Sequence, residues 1–208
     1  MAKKPDNRTK IIEAAMKLAA ERTWRDISMA EIADAAGIGI GELHETFSTR
    51  AALLTAFGRM VDAEVLGAGA ADPSEPAADR LFDVLMRRFD VLNRYKPGLA
   101  SIIESTARDP LSALCSAAQL RQSMAWMLEA AGLSSDGWRG LVRIKGLSAV
   151  YLYAMRVWLR DDSEDMAKTM AALDKALKRI DRLARGFERA GRRGRREAEG
   201  DPAADAAS

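Results

Sequence analysis

The segment IIEAAMKLAAERTWRDISMAEIADAAGIGIGELHETFSTRAALLTAF, Ile11 to Phe57, decides the fold. Ile11, Ile12, Ala15, Leu18 and Ala19 recur at helical spacing, which predicts a first helix over Asn7 to Arg22 with Asp6 or Asn7 as its cap. Ser28-Met-Ala-Glu31 has the form of a capping box, in which the serine and the glutamate satisfy each other's backbone N–H. The helix it opens is expected to end at Ala36, where Gly37 supplies the positive φ of a tight turn. A short helix over Gly39 to Phe47 follows, and Ser48 or Thr49 caps a fourth through Leu53, Leu54, Phe57, Met60 and Val61. Ala33 is small where a second helix must cross, and Ile32, Ala36, Ile38 and Leu43 supply the apolar contacts. This spacing is that of a helix-turn-helix, with the outward face of Gly39 to Thr46 left to enter a major groove.

Outward from this segment the chain stays helical. The small-residue stretch GAGAADPSEP, Gly67 to Pro76, marks a domain boundary. Beyond it, helices are expected over Ala77 to Arg94, from Pro97 to Arg108, from Pro110 to Ala131 with a stop at Gly132, over Gly137 to Arg160, and from Ser163 to about Arg189. No segment alternates with the period of two that a half-buried strand shows, and there is no repeat at a fixed spacing. The expectation is an all-α fold of about nine helices. It divides into a helix-turn-helix domain (1–50), a connecting helix (51–66), a linker (67–76), a ligand-binding and dimerisation domain (77–190) and a disordered tail (191–208).

Composition narrows the function classes. The chain has 208 residues, 48% hydrophobic and 30% charged, as a helix-rich globular protein does, with no apolar run approaching the roughly 18 residues of a membrane span. The start, MAKKPDNRTK, lacks the apolar stretch of a secretory signal, and a single cysteine rules out an internal disulfide framework, so the cytoplasm is the expected compartment. One histidine, one cysteine and no glycine-rich phosphate loop leave no triad, metal cluster or nucleotide cradle, so neither an enzyme nor a cofactor is expected. His44 reads as a surface residue, Cys115 as a small core residue, and Asp161-Asp162 as capping at a helix junction. Charge is uneven: Lys175 to Glu199 holds ten Lys/Arg against four Asp/Glu, whereas Met1 to Arg50 holds eight of each.

Ile11 to Phe57 resembles the Tet-repressor family of one-component regulators, and a layout of nine helices over about 200 residues fits along the whole chain. The resemblance implies that the first three helices bind duplex DNA at a palindromic site, the fourth connects, and the rest form a ligand pocket and a homodimer interface made by the last two helices. The candidate DNA-contacting set is Ser28, Gly39, Ile40, Gly41, Glu42, His44, Glu45 and Arg50. Departures accompany the match. Family members typically carry a Thr, a Tyr and a second aromatic or His where this chain has Glu42, His44 and Thr46, and a Lys where it has Arg50. Two carboxylates on the third helix oppose a polyanion, and Ile40 offers no hydrogen bond to a base edge. Arg50, Lys10 and the basic arm Lys3, Lys4 and Arg8 remain to hold phosphates or reach a minor groove.

A second resemblance lies at the other end. VWLRDDSEDMAKTMAALDKALKRIDRL, Val157 to Leu183, is similar to the C-terminal part of the ubiquinone-biosynthesis accessory proteins, through Trp158, Asp161-Asp162, Thr169 and Leu173-Asp174. Those proteins share the Tet-repressor fold, bind lipid and do not bind DNA. This implies an isoprenoid or other lipid ligand and peripheral membrane contact through the last helix, where Ile180, Leu183 and Phe187 lie among Lys178, Arg179, Arg182, Arg185 and Arg189.

Within the large domain, flexible and aromatic side chains suit an adaptable apolar pocket for a small-molecule or lipid effector: Met86, Phe89, Met124, Met127, Tyr151 and Met155 are the candidates, with Tyr151 or Gln122 to orient a ligand head. Ile103, Trp126, Trp138, Tyr153 and Trp158 belong to the same surplus of large apolar residues. Leu147, Met166, Met170, Leu173 and Leu177 are the candidates for a two-fold, four-helix dimer interface.

Overall fold

Local chemistry sets the helix ends in the N-terminal part of the computed structural model, which describes residues 7–106 and 110–182, with backbone alone for 110–115. The first helix, α1 (Asn7–Glu21), is followed by a single 3-10 turn, η1 (Trp24–Asp26). Ser28 then caps α2 (Met29–Ala36): its Oγ accepts from the Glu31 N–H at 3.2 Å while its own N–H donates to Glu31 Oε2 at 2.8 Å. Gly37 ends α2 at φ 69°, in the left-handed region where glycine has no Cβ to clash. After α3 (Ile40–Thr46), Thr49 Oγ1 accepts from the Ala52 N–H at 3.0 Å and opens α4 (Arg50–Gly67). Ile11, Ala15, Ala19, Ile32, Ala33, Leu43 and Leu53 are all buried. The crossing residue Ala33 and the apolar positions Ile32 and Leu43 thus do what their spacing predicts.

The remaining helices are α5 (Ala77–Asn93), α6 (Lys96–Thr106), α7 (Pro110–Ala130), α8 (Gly137–Trp158) and α9 (167–182). Among the described residues this makes nine α-helices and no strand, the all-α architecture expected. No helix among them is long and apolar enough to cross a membrane. The last helix starts four residues later than Ser163. Asp161 is buried, its two carboxylate oxygens accepting from the N–H and hydroxyl of Ser163 and of Thr169, so residues 161–166 form a turn that ties α8 to α9. These bonds hold the Asp161 carboxyl below its usual range although burial alone would raise it. The expected tail, the basic arm at Lys3 and Lys4, the Cys115 side chain and the last helix beyond 182 lie outside the described residues.

The module of the first three helices is fastened to the rest of the molecule. α6 packs on α1 so closely that a Cβ on Gly98 would run into the Met16 carbonyl. Beside that contact Ser101 Oγ accepts from the Trp24 N–H at 3.0 Å and donates to the Arg22 carbonyl at 3.1 Å. α4 lies between α5 and α7, and α7 packs on α8. Phe89 stacks on Tyr151 with centroids 5.4 Å apart and meets Trp158 at 5.9 Å. The stretch after Gly67 runs along the body: the Ala71 N–H donates to the Ala130 carbonyl at 3.2 Å, and Arg87 Nη1 to the Gly69 carbonyl at 2.9 Å.

Candidate functional site

Two regions meet the chemistry expected of a site, the outer face of α3 and a cavity walled by α4. On α3 the side chains of Ile40, Glu42, His44 and Glu45 face solvent, with Gly41 bare among them; Ile40 is 59% exposed. Glu42 accepts from Asn7 Nδ2, which ties the start of α1 to α3. Arg8 lies 5.0 Å over the Phe47 ring at the other end of that helix. Ser28 is occupied by its cap. Glu31 also pairs with Arg22, and the Ser28 backbone N–H first, then Arg22 and the Ser28 hydroxyl, pull the Glu31 carboxyl down to about 2.

Arg50, expected at a phosphate, has a second task. Its Nη1 donates to the carbonyls of Trp24 (3.1 Å), Arg25 (3.4 Å) and Ile27 (3.1 Å), and its guanidinium sits 5.7 Å over the Trp24 ring. At the end of the 3-10 turn the Trp24 carbonyl accepts from the Ile27 N–H at 3.4 Å, and the first side chain of α4 reaches back to add a second donor there and to serve the carbonyls of Arg25 and Ile27. Arg50 therefore clamps η1 and the entry to α2.

Arg50, Arg25 and Trp24 also line one end of a cavity of about 400 Å³ that runs beneath α4. Leu54, Phe57, Val61, Leu92, Leu99, Leu120 and Met155 give it an apolar wall, and Arg88, Ser123 and Tyr151 stand at its other end. That end is a buried polar network. Arg88 pairs with Asp62 Oδ1, Ser123 Oγ donates to Asp62 Oδ2 at 2.7 Å, and Arg88 Nε donates to the Tyr151 hydroxyl at 3.2 Å. All four residues are more than nine-tenths buried. Burial pushes the Tyr151 hydroxyl above its usual pKa, so it stays protonated with a proton to give. Midway, Gln119 Nε2 is buried with no acceptor among the described residues, where a Cβ on Gly58 would come within 3.3 Å of it.

Of the residues expected in a pocket, Tyr151 and Met155 line this cavity. Phe89, Met124 and Met127 are wholly buried and pack the core instead, while Met86 and Gln122 border separate shallow hollows. Trp126, Trp138 and Tyr153 are exposed. The residues expected at a dimer interface are also placed differently. Leu147, Met166, Leu173 and Leu177 are buried within the protomer and Met170 is half-buried: the α8 and α9 stripes of Leu147, Met170, Leu173 and Leu177 face their own bundle, and Met166 lies in the turn between the two helices. α8 exposes another stripe: Trp138 at 71%, Leu141, Val142, Leu152 and Tyr153. Sequence reasoning missed the Asp62–Arg88 pair, whose signal was two opposite charges on the buried stripes of α4 and α5.

Residues 11–57 match the model of the bacterial regulatory proteins, tetR family, and residues 116–184 match the COQ9 model. No curated protein sequence matches the chain. Among solved structures, a TetR transcriptional regulator from Nitrosomonas europaea superposes with a TM-score of 0.69 at 21% identity, over 82% of this chain and 95% of that one. A TetR transcriptional regulator from Rhodococcus sp. RHA1 does so at 0.62 and 22%, over 83% and 93%. FadR from Thermus thermophilus, a TetR-family transcriptional repressor in complex with lauroyl-CoA, gives 0.52 and 20%, over 82% and 91%. The chain thus has the fold of these regulators, and it resembles the Tet-repressor family at its start and COQ9 towards its end.

Proposed function

We propose that the chain is a homodimeric transcriptional regulator. Each protomer sets α3 into the major groove at one half of a palindromic site, and a small apolar effector held under α4 alters the spacing of the two modules. The observation that carries this reading is the capped helix-turn-helix with the outer face of α3 open to solvent. The apolar side chains that α8 exposes support a dimer, since exposed apolar surface of that kind suits a self-complementary interface. Contacts to DNA fall to Gly39, which caps α3, and to Ile40, Gly41, Glu42, His44 and Glu45 on it, with Lys10 and Arg25 as flanking cations and Arg50 holding the module in position. The effector lies against Leu54, Leu120, Tyr151 and Met155. The bound lauroyl-CoA of the Thermus thermophilus protein supports a chain-like effector in this fold.

The test is retention of genomic fragments by the full-length protein at low and at moderate salt, followed by sequencing. Enrichment of one palindromic site, with affinity falling steeply as salt rises, is the expected result.

A second reading is favoured by the COQ9 match over 116–184 and by Glu42 and Glu45 on α3. In it the chain keeps the fold, binds an isoprenoid or other lipid in the cavity, touches a membrane through its last helix and leaves DNA alone. No enriched site, together with lipid detected by mass spectrometry in the purified protein, selects this reading.

A further inference from the structure

The charged lining of the cavity is of one sign. Arg25 and Arg50 stand at its mouth beside η1 and Arg88 at its far end, and among the described residues no Asp or Glu lines it. Asp62 neutralises Arg88 from behind, whereas the acceptors on Arg50 are backbone carbonyls, which carry no net charge. All three of those bonds leave from Nη1. The Nε and Nη2 edge of the same guanidinium has no acceptor among the described residues. From Arg50 inward α4 presents Ala51, Leu54, Thr55, Phe57, Gly58 and Val61 to the cavity, about 15 Å of helix wall that is apolar but for Thr55.

We infer that the cavity takes an amphiphile with an acidic head: the two oxygens of the head dock on the open edge of Arg50, and the apolar chain runs inward along α4. This rests on reading the cavity as an effector site and names the chemistry of that effector. A carboxylate or phosphate fits a guanidinium edge through two parallel N–H···O bonds, a pairing worth more than a neutral hydrogen bond and one that an alcohol cannot make. Nη1 keeps its carbonyls while the other edge binds the head, so one side chain joins the ligand to the entry of α2. Occupancy then tightens the segment from Trp24 to Glu31.

The experiment compares octanoate with octan-1-ol, added to the full-length protein at neutral pH, where octanoate is ionised. Isothermal titration reads affinity and amide hydrogen exchange reads residues 24–31. Octanoate is expected to bind at least about tenfold tighter than octanol and to slow exchange over 24–31. Arg50→Gln, which keeps an N–H for the carbonyls but removes the charge, is expected to bring octanoate down to the affinity of octanol. Equal affinities in the unaltered protein, or an acid preference that survives in Arg50→Gln, overturn the acidic-head inference and leave the cavity a ligand site. No binding of either compound overturns both. The comparison in the unaltered protein decides the acid preference even where the variant fails to fold.

Discussion

The outer face of α3 presents Glu42 and Glu45 to solvent, while the cavity beneath α4 is edged by Arg25, Arg50 and Arg88. The two regions answer to different constraints. A carboxylate on an exposed helix face is solvated and costs folding almost nothing, so apart from the Glu42 bond to Asn7 packing leaves the charge of α3 open to selection by a partner. A charge inside the body must be compensated where it stands. Arg88 has Asp62, Ser123 and Tyr151 arranged around it for that purpose, and the Nη1 of Arg50 has its three carbonyls. Changes to the cavity wall should therefore appear first as lost stability, and changes to α3 as altered binding with stability intact.

Asp62→Ala gives the largest separation. It strands the Arg88 cation in the interior, and urea unfolding should show a loss of about 3–5 kcal/mol. Replacing both partners, Asp62→Leu with Arg88→Met, should recover much of that loss. A small effect of Asp62→Ala would mean that the interior is less demanding than its burial indicates, and the contrast with α3 would fail. Gly98→Ala tests the seam between the regions. With the Met16 carbonyl in the way, an overpacking cost of about 1–3 kcal/mol is expected, and thermal unfolding that is unmoved would show that α6 can give way. On α3, the double variant Glu42→Gln, Glu45→Gln should tighten DNA binding about tenfold at low salt through reduced repulsion of phosphate, with the melting temperature nearly unchanged. Binding that does not strengthen would count against α3 as the DNA face.

The smallest effects belong to the cap of α2. Ser28→Ala should cost about 1 kcal/mol. The Glu31 carboxyl is lowered from 4.5 to about 2 in the folded chain, so its contribution is complete above about pH 4.5 and disappears as pH falls through about 2. The stability gap between the unaltered protein and Glu31→Gln should close as pH falls from about 4.5 through 2 when melting is followed against pH, and the absence of any gap at neutral pH would assign the cap to Ser28 alone.

Legibility followed the range of the interactions. Ser28, Glu31, Gly37 and Thr49 act within a turn of their own positions, so both ends of α2 and the start of α4 could be read from the chain directly. Helix identity in the large domain was equally plain from spacing. What spacing does not encode is which of two apolar stripes on one helix meets its own bundle. Leu147 and Leu152 both belong to apolar stripes of α8, and only packing sends the first inward and the second to solvent. Residue type has the same limit: Met124 and Met155 are chemically alike, yet one fills the core and the other faces the cavity. Arg88 carried a usable sign, since it falls between Leu85, Phe89 and Leu92 on the buried stripe of α5, and an arginine there calls for a carboxylate on a facing helix.

The seam formed by Gly98 and Ser101 bears on how the molecule could be taken apart and recombined. Exchanging residues 7–50 for the corresponding stretch of a relative would leave α6 facing a foreign α1. The Met16 carbonyl that Gly98 accommodates and the backbone groups of Arg22 and Trp24 that Ser101 serves would no longer be matched. A chimera is therefore expected to keep its fold only when α6 travels with the first three helices, so the heritable unit of this architecture is discontinuous in the chain.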